Sequence, residues 1–166
     1  GHVRHGASVM IGGFGTAGMP DELIDALIAR NVGDLTIISN NAGNGETGVA
    51  ALIKEGRVRK IVCSFPRQPD SHHFDAAFRA GRIELELVPQ GNLAARIHAA
   101  GAGLGAIFTP TGFGTMLAEG KETRRIDGSV SARPSTVTAS RSSRRKAGSP
   151  SSAKISGMRL PAASSI

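Results

Sequence analysis

The chain of 166 residues has one cysteine, Cys63, and neither tryptophan nor tyrosine. A single cysteine excludes an internal disulfide and fits a reducing compartment, so we expect a cytoplasmic protein. No apolar run approaches the roughly 18 residues that mark a membrane span, and we therefore expect no membrane partner. A hydrophobic content of 40% is nevertheless enough to bury a core. The length suits one domain, or one domain with an appendage.

Acidic residues are absent from the segment 128–166, which holds seven lysines and arginines, twelve serines, three prolines and no aromatic residue. Residues 1–127 hold thirteen basic and thirteen acidic residues, so the formal net charge of +7 comes from the segment 128–166 alone. We predict a domain over residues 1–127 and a disordered tail over 128–166, because the tail has too little apolar surface to offset its ordering entropy.

Two interpretations of this tail remain open. A basic tail could bind nucleic acid and make the chain an α/β binding module. Serine, arginine, alanine and proline in quantity are also what a GC-rich gene yields when it is read out of frame, which would make the chain a truncated, inactive product or an enzyme subunit with a non-native end. We favour the out-of-frame origin and do not expect nucleic acid as a partner.

Short apolar runs alternate with helical patterns between residues 9 and 109. The runs predict strands over 9–11, 35–39, 59–65, 83–88 and 106–109, and the helical patterns predict helices over 20–29, 47–54, 70–80 and 92–100. Thr47 and Asn92 are expected to cap two of these helices. Strands that alternate with helices of about ten residues predict an α/β fold with a mostly parallel sheet.

A glycine-rich loop, Gly12–Gly18, follows the first predicted strand and precedes the first helix. Such a loop lets a ligand approach the backbone and is typical of anion-binding turns. It matches the dinucleotide pattern G-x-G-x-x-G, but the acidic residue that should end the second strand is replaced by Ser39-Asn40-Asn41. A nucleotide site is therefore disfavoured, and a glycine turn without a ligand remains open.

Gln90 ends a predicted strand and lies at the sheet edge that carries ligands in parallel sheets. Its amide could donate to an oxyanion, although a solvated turn residue is equally compatible with the pattern. Cys63 is expected to be a buried, inert thiol. His72 and His73 are expected to point about 100° apart on a helix, so we predict no metal site. For Glu46 we expect a solvent-exposed loop carboxylate or a helix-start residue rather than a nucleophile.

The segment Ile11–Pro20 closely resembles the signature apolar–G-G-F-x-x-x-G-x-P of family I CoA-transferases. The similarity continues in order through segments 39–43, 54–58, 65–67, 84–94, 108–112 and 119–121. The chain is most similar to the A (alpha) component of bacterial 3-oxoacid CoA-transferases, of the 3-oxoadipate type first and the acetoacetate type next.

The resemblance implies an open α/β fold of the CoA-transferase/NagB-like type, with helices on both faces of the sheet and the C-terminal part of the domain missing. It implies an enzyme of A and B subunits, often a heterotetramer, that moves CoA from succinyl-CoA to a 3-oxo acid. The attacking glutamate, which becomes a glutamyl-CoA thioester, lies in the B subunit, so we expect no activity from this chain alone.

The resemblance also assigns the site residues. Gln90 matches a glutamine that helps to bind the substrate oxyanion, and Asn40 and Asn41 are expected to bind substrate. The residues expected to line the CoA site are Gly12, Gly13, Phe14, Gly15, Thr16, Ala17 and Gly18. Acyl-CoA is a substrate here, and no permanently bound cofactor is expected. The family signature opens with Asp or Asn where this chain has His5, a departure at the N-terminal anchor of the loop.

Overall fold

The computed structural model describes residues 2–132. The predicted disordered or out-of-frame tail therefore lies outside the described residues from residue 133 onward. Along the chain, the four strands β1–β4 and four α-helices α1–α4 are β1 (Ser8–Met10), α1 (Asp21–Ala29), β2 (Leu35–Ile38), α2 (Val49–Lys54), β3 (Val58–Cys63), α3 (His72–Arg79), β4 (Glu84–Leu87) and α4 (Gln90–Gly101). A 3-10 turn (Met116–Ala118) and two further strands, β5 (Thr123–Ile126) and β6 (Ser129–Ala132), follow.

The four strands β1 to β4 form one parallel sheet in sequential order. Ile37 of β2 lies opposite Val9 on one side and Ile61 on the other, and Ile61 lies opposite Leu85 of β4. Each strand is joined to the next by a helix, as parallel strands require a crossover connection. The predicted mostly parallel α/β architecture is confirmed.

Side chains of the central strands alternate between two apolar layers. On one face, Ile37 and Ile61 pack with Ile24, Leu52 and Phe74 from α1, α2 and α3. On the other face, a smaller cluster joins Ile38 and Val62 to Val88 and Leu93, and Leu93 belongs to α4. Helices therefore cover both faces of the sheet, three on one face and α4 on the other, as predicted.

The start of α4 differs from the prediction. Pro89 takes the N-cap position and the helix begins at Gln90, two residues earlier than expected. Asn92 does not cap the helix but is buried within its first turn, where its Nδ2 donates to the carbonyl of Thr111 at 3.1 Å. The Asn92 side chain, which was expected to cap the helix, thus binds the segment around Thr111 instead. Gly48 rather than Thr47 precedes α2.

The predicted fifth strand over 106–109 is wrong, because the sheet of β1 to β4 gains no strand from this segment. The segment that contains Thr109 and Thr111 instead lies against α4. The Asn92 Nδ2 donates to the Thr111 carbonyl, and the Thr109 hydroxyl lies 3.5 Å from the Asn92 side-chain oxygen. A four-residue apolar run does not reveal whether the segment will pair with the edge strand of a sheet or pack against a helix.

A separate antiparallel hairpin ends the described part of the chain. Strands β5 and β6 pair from Thr123 with Ala132 to Ile126 with Ser129. The turn between them contains Asp127 and Gly128, both with positive φ. The boundary expected after residue 127 therefore falls inside this turn. Within residues 2–132, no helix is long and apolar enough to cross a membrane.

Candidate functional site

The glycine loop leaves β1 at the carboxyl edge of the sheet. The Ile11 N–H donates to the carbonyl of Ile38 at 2.9 Å, which ties the loop's start to the end of β2. Gly13 has a φ of +126°, and a Cβ there would lie 3.0 Å from the Met19 sulfur. The positive φ therefore favours glycine at this position, and Met19 and the Ala17 carbonyl leave little room for a Cβ.

The rest of this loop turns back on itself. Phe14 and Ala17 exchange backbone hydrogen bonds of 2.9 and 3.0 Å, and Gly15 between them has a φ of +63°. Helix α1 begins only at Asp21, after Pro20. Residues 14–18 thus form a tight, projecting turn, with the Phe14 side chain 70% exposed, rather than a cradle at a helix N-terminus.

A cavity of about 370 Å³ opens beside the glycine loop, on the α4 face of the sheet. Its walls are mostly apolar and come from three places: the end of β1 with the glycine loop, the end of β2, and α4. The lining residues with a polar side chain are Ser39, Asn40 and Gln90. A mostly apolar cleft with a few convergent polar groups is the usual form of a small-molecule site.

Gln90 lines this cavity together with Gly12, Gly13 and Asn40. Because Gln90 is the first residue of α4, the free N–H groups of the helix's first turn lie at the same end of the helix as Gln90. No side chain caps these groups. The positive end of the helix dipole therefore adds to the Gln90 amide, and the arrangement suits a developing negative charge on a bound carbonyl oxygen.

Ser39 is a site residue that the sequence pattern did not single out. Its side chain is 3% exposed, its hydroxyl has no hydrogen-bond partner, and it lines the cavity. A buried hydroxyl without a partner costs free energy unless a ligand or water satisfies it. Its position directly before Asn40, at the carboxyl end of β2, is the signal that could have found it.

Asn41 lies apart from this cavity. It is fully buried, and its Oδ1 accepts from the Gly43 N–H at 2.9 Å. Gly43 has a φ of +88°, and a Cβ there would lie 2.3 Å from the Ala50 nitrogen. Asn41 and Gly43 together shape the loop between β2 and α2. The Asn41 Nδ2 has no partner. The structure thus brings Gly12, Gly13, Asn40 and Gln90 together and leaves Asn41 and residues 14–18 outside the cavity.

Cys63 is fully buried, and burial raises the pKa of its thiol to about 12. The burial that the sequence predicts for this thiol is confirmed, and its low reactivity stays a prediction.

Glu46 is exposed, and its carboxylate carries three cationic or imidazole neighbours. Hydrogen bonds from Lys54, His73 and His72, in that order of effect, lower its pKa to about 2. The expectation that the two histidines point apart is wrong, since their Nε2 atoms lie 3.0 Å from each other. Both imidazoles therefore reach Glu46 from the first turn of α3.

Comparison with known proteins gives one consistent family. The sequence model of the family described as coenzyme A transferase matches residues 1–131. Over 126 residues the chain is 71% identical to the A component of the 3-oxoadipate CoA-transferase of Pseudomonas putida, an alignment that covers 76% of this chain and 54% of that protein. The corresponding protein of Acinetobacter baylyi is 66% identical, with 76% and 55% covered.

A more distant relative is named for a different activity. The A component of the succinyl-CoA:3-ketoacid coenzyme A transferase of Xanthomonas campestris is 44% identical over 128 residues, which cover 77% of this chain and 52% of that protein. The chain therefore spans about half the length of the curated relatives it matches.

Solved structures share the fold at low sequence identity. The decarboxylase AibA/AibB superposes with a TM-score of 0.69 and 23% identity, covering 82% of this chain and 55% of that one. Glutaconate coenzyme A-transferase from Acidaminococcus fermentans gives a TM-score of 0.68 and 18% identity, covering 81% and 50%. With the family model matched from residue 1 to residue 131 and relatives of up to 71% identity, the chain belongs to the coenzyme A transferase family.

Proposed function

We propose that this chain supplies one half of the thioester site, that of the A component, in a 3-oxoacid CoA-transferase. The observation that carries the proposal is the cavity at the carboxyl ends of β1 and β2. Gly12 and Gly13 lie on one side, the Gln90 amide with the first turn of α4 on the other, and the unpaired Ser39 hydroxyl in the wall. A thioester carbonyl could enter this cavity without meeting a side chain from the glycines.

The reaction proposed is the transfer of CoA from succinyl-CoA to a 3-oxo acid. A glutamate carboxylate attacks the thioester carbonyl, which releases the CoA thiolate and forms a mixed anhydride of glutamate and succinate. The thiolate then attacks the glutamyl carbonyl of this anhydride and expels succinate. The resulting glutamyl-CoA thioester gives CoA to the 3-oxo acid by the same steps in reverse. The role of this chain is to hold the thioester oxygen while its negative charge develops.

The attacking glutamate belongs to a B subunit in this proposal, and the working enzyme is an assembly of A and B subunits in the cytoplasm. The names of its relatives specify the A component of an enzyme, which supports a two-component assembly. 3-Oxoadipate is the favoured acceptor because the relatives at 71% and 66% identity carry that name, whereas the 44% relative is named for a 3-ketoacid.

The test measures CoA transfer by the full chain mixed with the B subunit of the Pseudomonas putida enzyme, following the CoA esters by chromatography. A chimera in which residues 6–127 replace the matching segment of the Pseudomonas putida A component tests the cavity independently of the rest of the chain. We expect transfer from succinyl-CoA by the chimera, with kcat/KM higher for 3-oxoadipate than for acetoacetate.

Two substitutions in the chimera examine the site directly. Loss of one oxyanion donor costs about 100-fold in kcat, so Gln90→Ala should lower kcat by about that factor with little change in KM. Ser39→Ala should have a smaller effect in the same direction. His98→Gln, on the same helix but outside the cavity, is the matched control and should leave both constants unchanged. A Gln90→Ala chimera with full kcat would contradict the proposed role, and a chimera inactive with both acids would contradict the proposed reaction.

A further inference from the structure

A second cluster of functional side chains lies away from the cavity, where the loop between β2 and α2 meets the start of α3. Glu46 comes from the loop, and His72 and His73 are the first two residues of the helix. The Glu46 Oε1 lies 2.9 Å from the Nε2 of His72 and 2.9 Å from the Nε2 of His73. The two Nε2 atoms are 3.0 Å apart. Three potential ligand atoms thus form a nearly equilateral triangle.

Hydrogen bonding alone satisfies this triangle poorly. The Nδ1 of His72 lies 2.9 Å from the Asp70 Oδ1, and a carboxylate can only accept, so His72 carries a proton on Nδ1. His72 can donate to Glu46 as well only as an imidazolium; in its neutral form it presents a lone pair on Nε2 toward the carboxylate and toward His73. If both Nε2 atoms were protonated, two N–H groups would face each other at 3.0 Å. A cation at the centre of the triangle would meet a lone pair from all three atoms.

The groups around the triangle orient its members as outer hydrogen-bond partners orient the ligands of bound metal ions. Asp70 holds the remote nitrogen of His72, which fixes the tautomer and ring orientation as an outer carboxylate does for a metal-bound histidine. Lys54 donates to the other Glu46 oxygen at 2.8 Å, which leaves Oε1 directed at the histidines. The two carboxylates and one ammonium group carry a net negative charge, so a divalent cation is electrostatically acceptable here.

We propose that Glu46, His72 and His73 bind one Zn²⁺ ion, with a water molecule as the fourth ligand. Zinc bonds of about 2.0–2.1 Å to nitrogen and oxygen place tetrahedral ligand atoms about 3.3 Å apart. The present separations of 2.9–3.0 Å need only a small outward movement of the side chains, and Glu46 and His72 are exposed. Two imidazoles and one carboxylate select zinc over magnesium or calcium, which prefer oxygen ligands.

The ion would fasten the loop of residues 40–48 to α3. The residues just before α3 already hold this loop by three hydrogen bonds: from the Gly45 N–H to the Asp70 carbonyl at 2.9 Å, from the Asp70 N–H to the Asn44 side chain at 3.0 Å, and from the Ser71 hydroxyl to the Gly43 carbonyl at 2.8 Å. This loop begins with Asn40, which lines the candidate cavity. The zinc is therefore a structural tie next to the site and does not depend on the proposed reaction.

The test is calorimetric titration of ZnCl₂ into the full chain after treatment with EDTA. We expect one equivalent of Zn²⁺ bound per chain and no binding of Mg²⁺ or Ca²⁺ under the same conditions. Glu46→Gln and His73→Gln should each weaken Zn²⁺ binding at least tenfold, and Asp70→Asn about tenfold, the lower end of what loss of an outer partner costs. His98→Gln, which removes an exposed histidine on α4, should bind Zn²⁺ as the parent chain does.

A second measurement separates loss of the site from loss of folding. Circular dichroism of the metal-free Glu46→Gln and His73→Gln chains should match the parent, because Glu46 is exposed and His73 is only partly buried. Zn²⁺ should raise the melting temperature of the parent and of His98→Gln but not of the two ligand variants. No Zn²⁺ binding by the parent, or equal binding by parent and His73→Gln, would overturn the proposal.

Discussion

At the scale of single residues, Cys63 shows how burial sets chemistry. The thiol lies inside β3 among apolar neighbours, and burial raises its pKa to about 12. At pH 8 roughly one thiol in 10⁴ would then be ionised, and the thiolate is the reactive form.

We therefore expect no reaction of the native chain with an aromatic disulfide reagent at pH 8 over an hour, and one equivalent of reaction after unfolding in guanidinium. A Ser8→Cys variant carries a second thiol at an exposed position of β1 and should react promptly with one equivalent while native. Rapid labelling of the native parent would show that Cys63 is accessible and ionisable, contrary to its placement.

The histidines and Ser39 mark the limit of inference from sequence at this scale. The α/β alternation places Gln90, Gly12, Gly13 and Asn40 on one sheet edge, because carboxyl ends of parallel strands share an edge. It does not reveal which side chains lack a partner, as Ser39 does. Nor does helical spacing report where long side chains end, since χ angles decide whether neighbours such as His72 and His73 converge.

At the scale of secondary-structure elements, an ion-pair network joins β3, β4 and α4. Glu86 of β4 lies 3.0 Å from the Arg96 guanidinium and 3.1 Å from the Lys60 ammonium. Arg96 is only 4% exposed. Burial of Glu86 works to raise its pKa, but the hydrogen bonds and charges of Lys60 and Arg96 outweigh it, so the pKa of Glu86 lies below its ordinary value.

Glu86→Gln should destabilise the chain by about 2 kcal/mol at pH 7, somewhat less than breaking a fully buried pair costs, because Glu86 keeps some solvent contact. A group whose folded-state pKa is lowered stabilises the fold above its unfolded-state pKa and loses that effect as the pH falls through the folded-state value. The difference between parent and variant should therefore shrink below the ordinary glutamate pKa of 4.5.

Urea titrations of both chains at pH 7 and at progressively lower pH measure this difference in the free energy of unfolding. Glu119→Gln, which alters an exposed carboxylate beside the 3-10 turn, is the control and should match the parent throughout. A Glu86→Gln chain as stable as the parent at pH 7 would mean that the network contributes nothing to holding α4 on the sheet.

Strands and helices were predictable from the sequence where the apolar pattern of the segment itself determines its secondary structure. Apolar runs of β-branched residues define β2 and β3, and the spacing of apolar positions defines α1 and α3. The wrong predictions concern residues whose structure depends on a contact with a distant part of the chain. Asn92 looks like a helix cap until Thr111 is found to accept from it, and residues 106–109 look like a strand until they are seen to dock on α4.

At the scale of the whole molecule, stability should be uneven between the parallel sheet and the terminal hairpin. Strands β2 and β3 are buried on both faces by two apolar clusters. In β5 every residue is exposed. One contact with the body of the domain is Arg124, whose guanidinium carbon lies 4.8 Å from the centre of the Phe108 ring. An isolated two-stranded hairpin is at best marginally stable in water.

Amide hydrogen exchange of the full chain, followed by mass spectrometry, should show this division. Local opening exposes weakly packed segments far more often than the core. We expect amides of 35–38 and 58–63 to exchange slowest, and those of 123–132 to exchange early. Phe108→Ala should speed exchange in 123–132 further, because it removes the aromatic partner of Arg124, and should leave 58–63 unchanged. Hairpin amides as protected as those of β3 would instead show that β5 and β6 are part of the cooperative core.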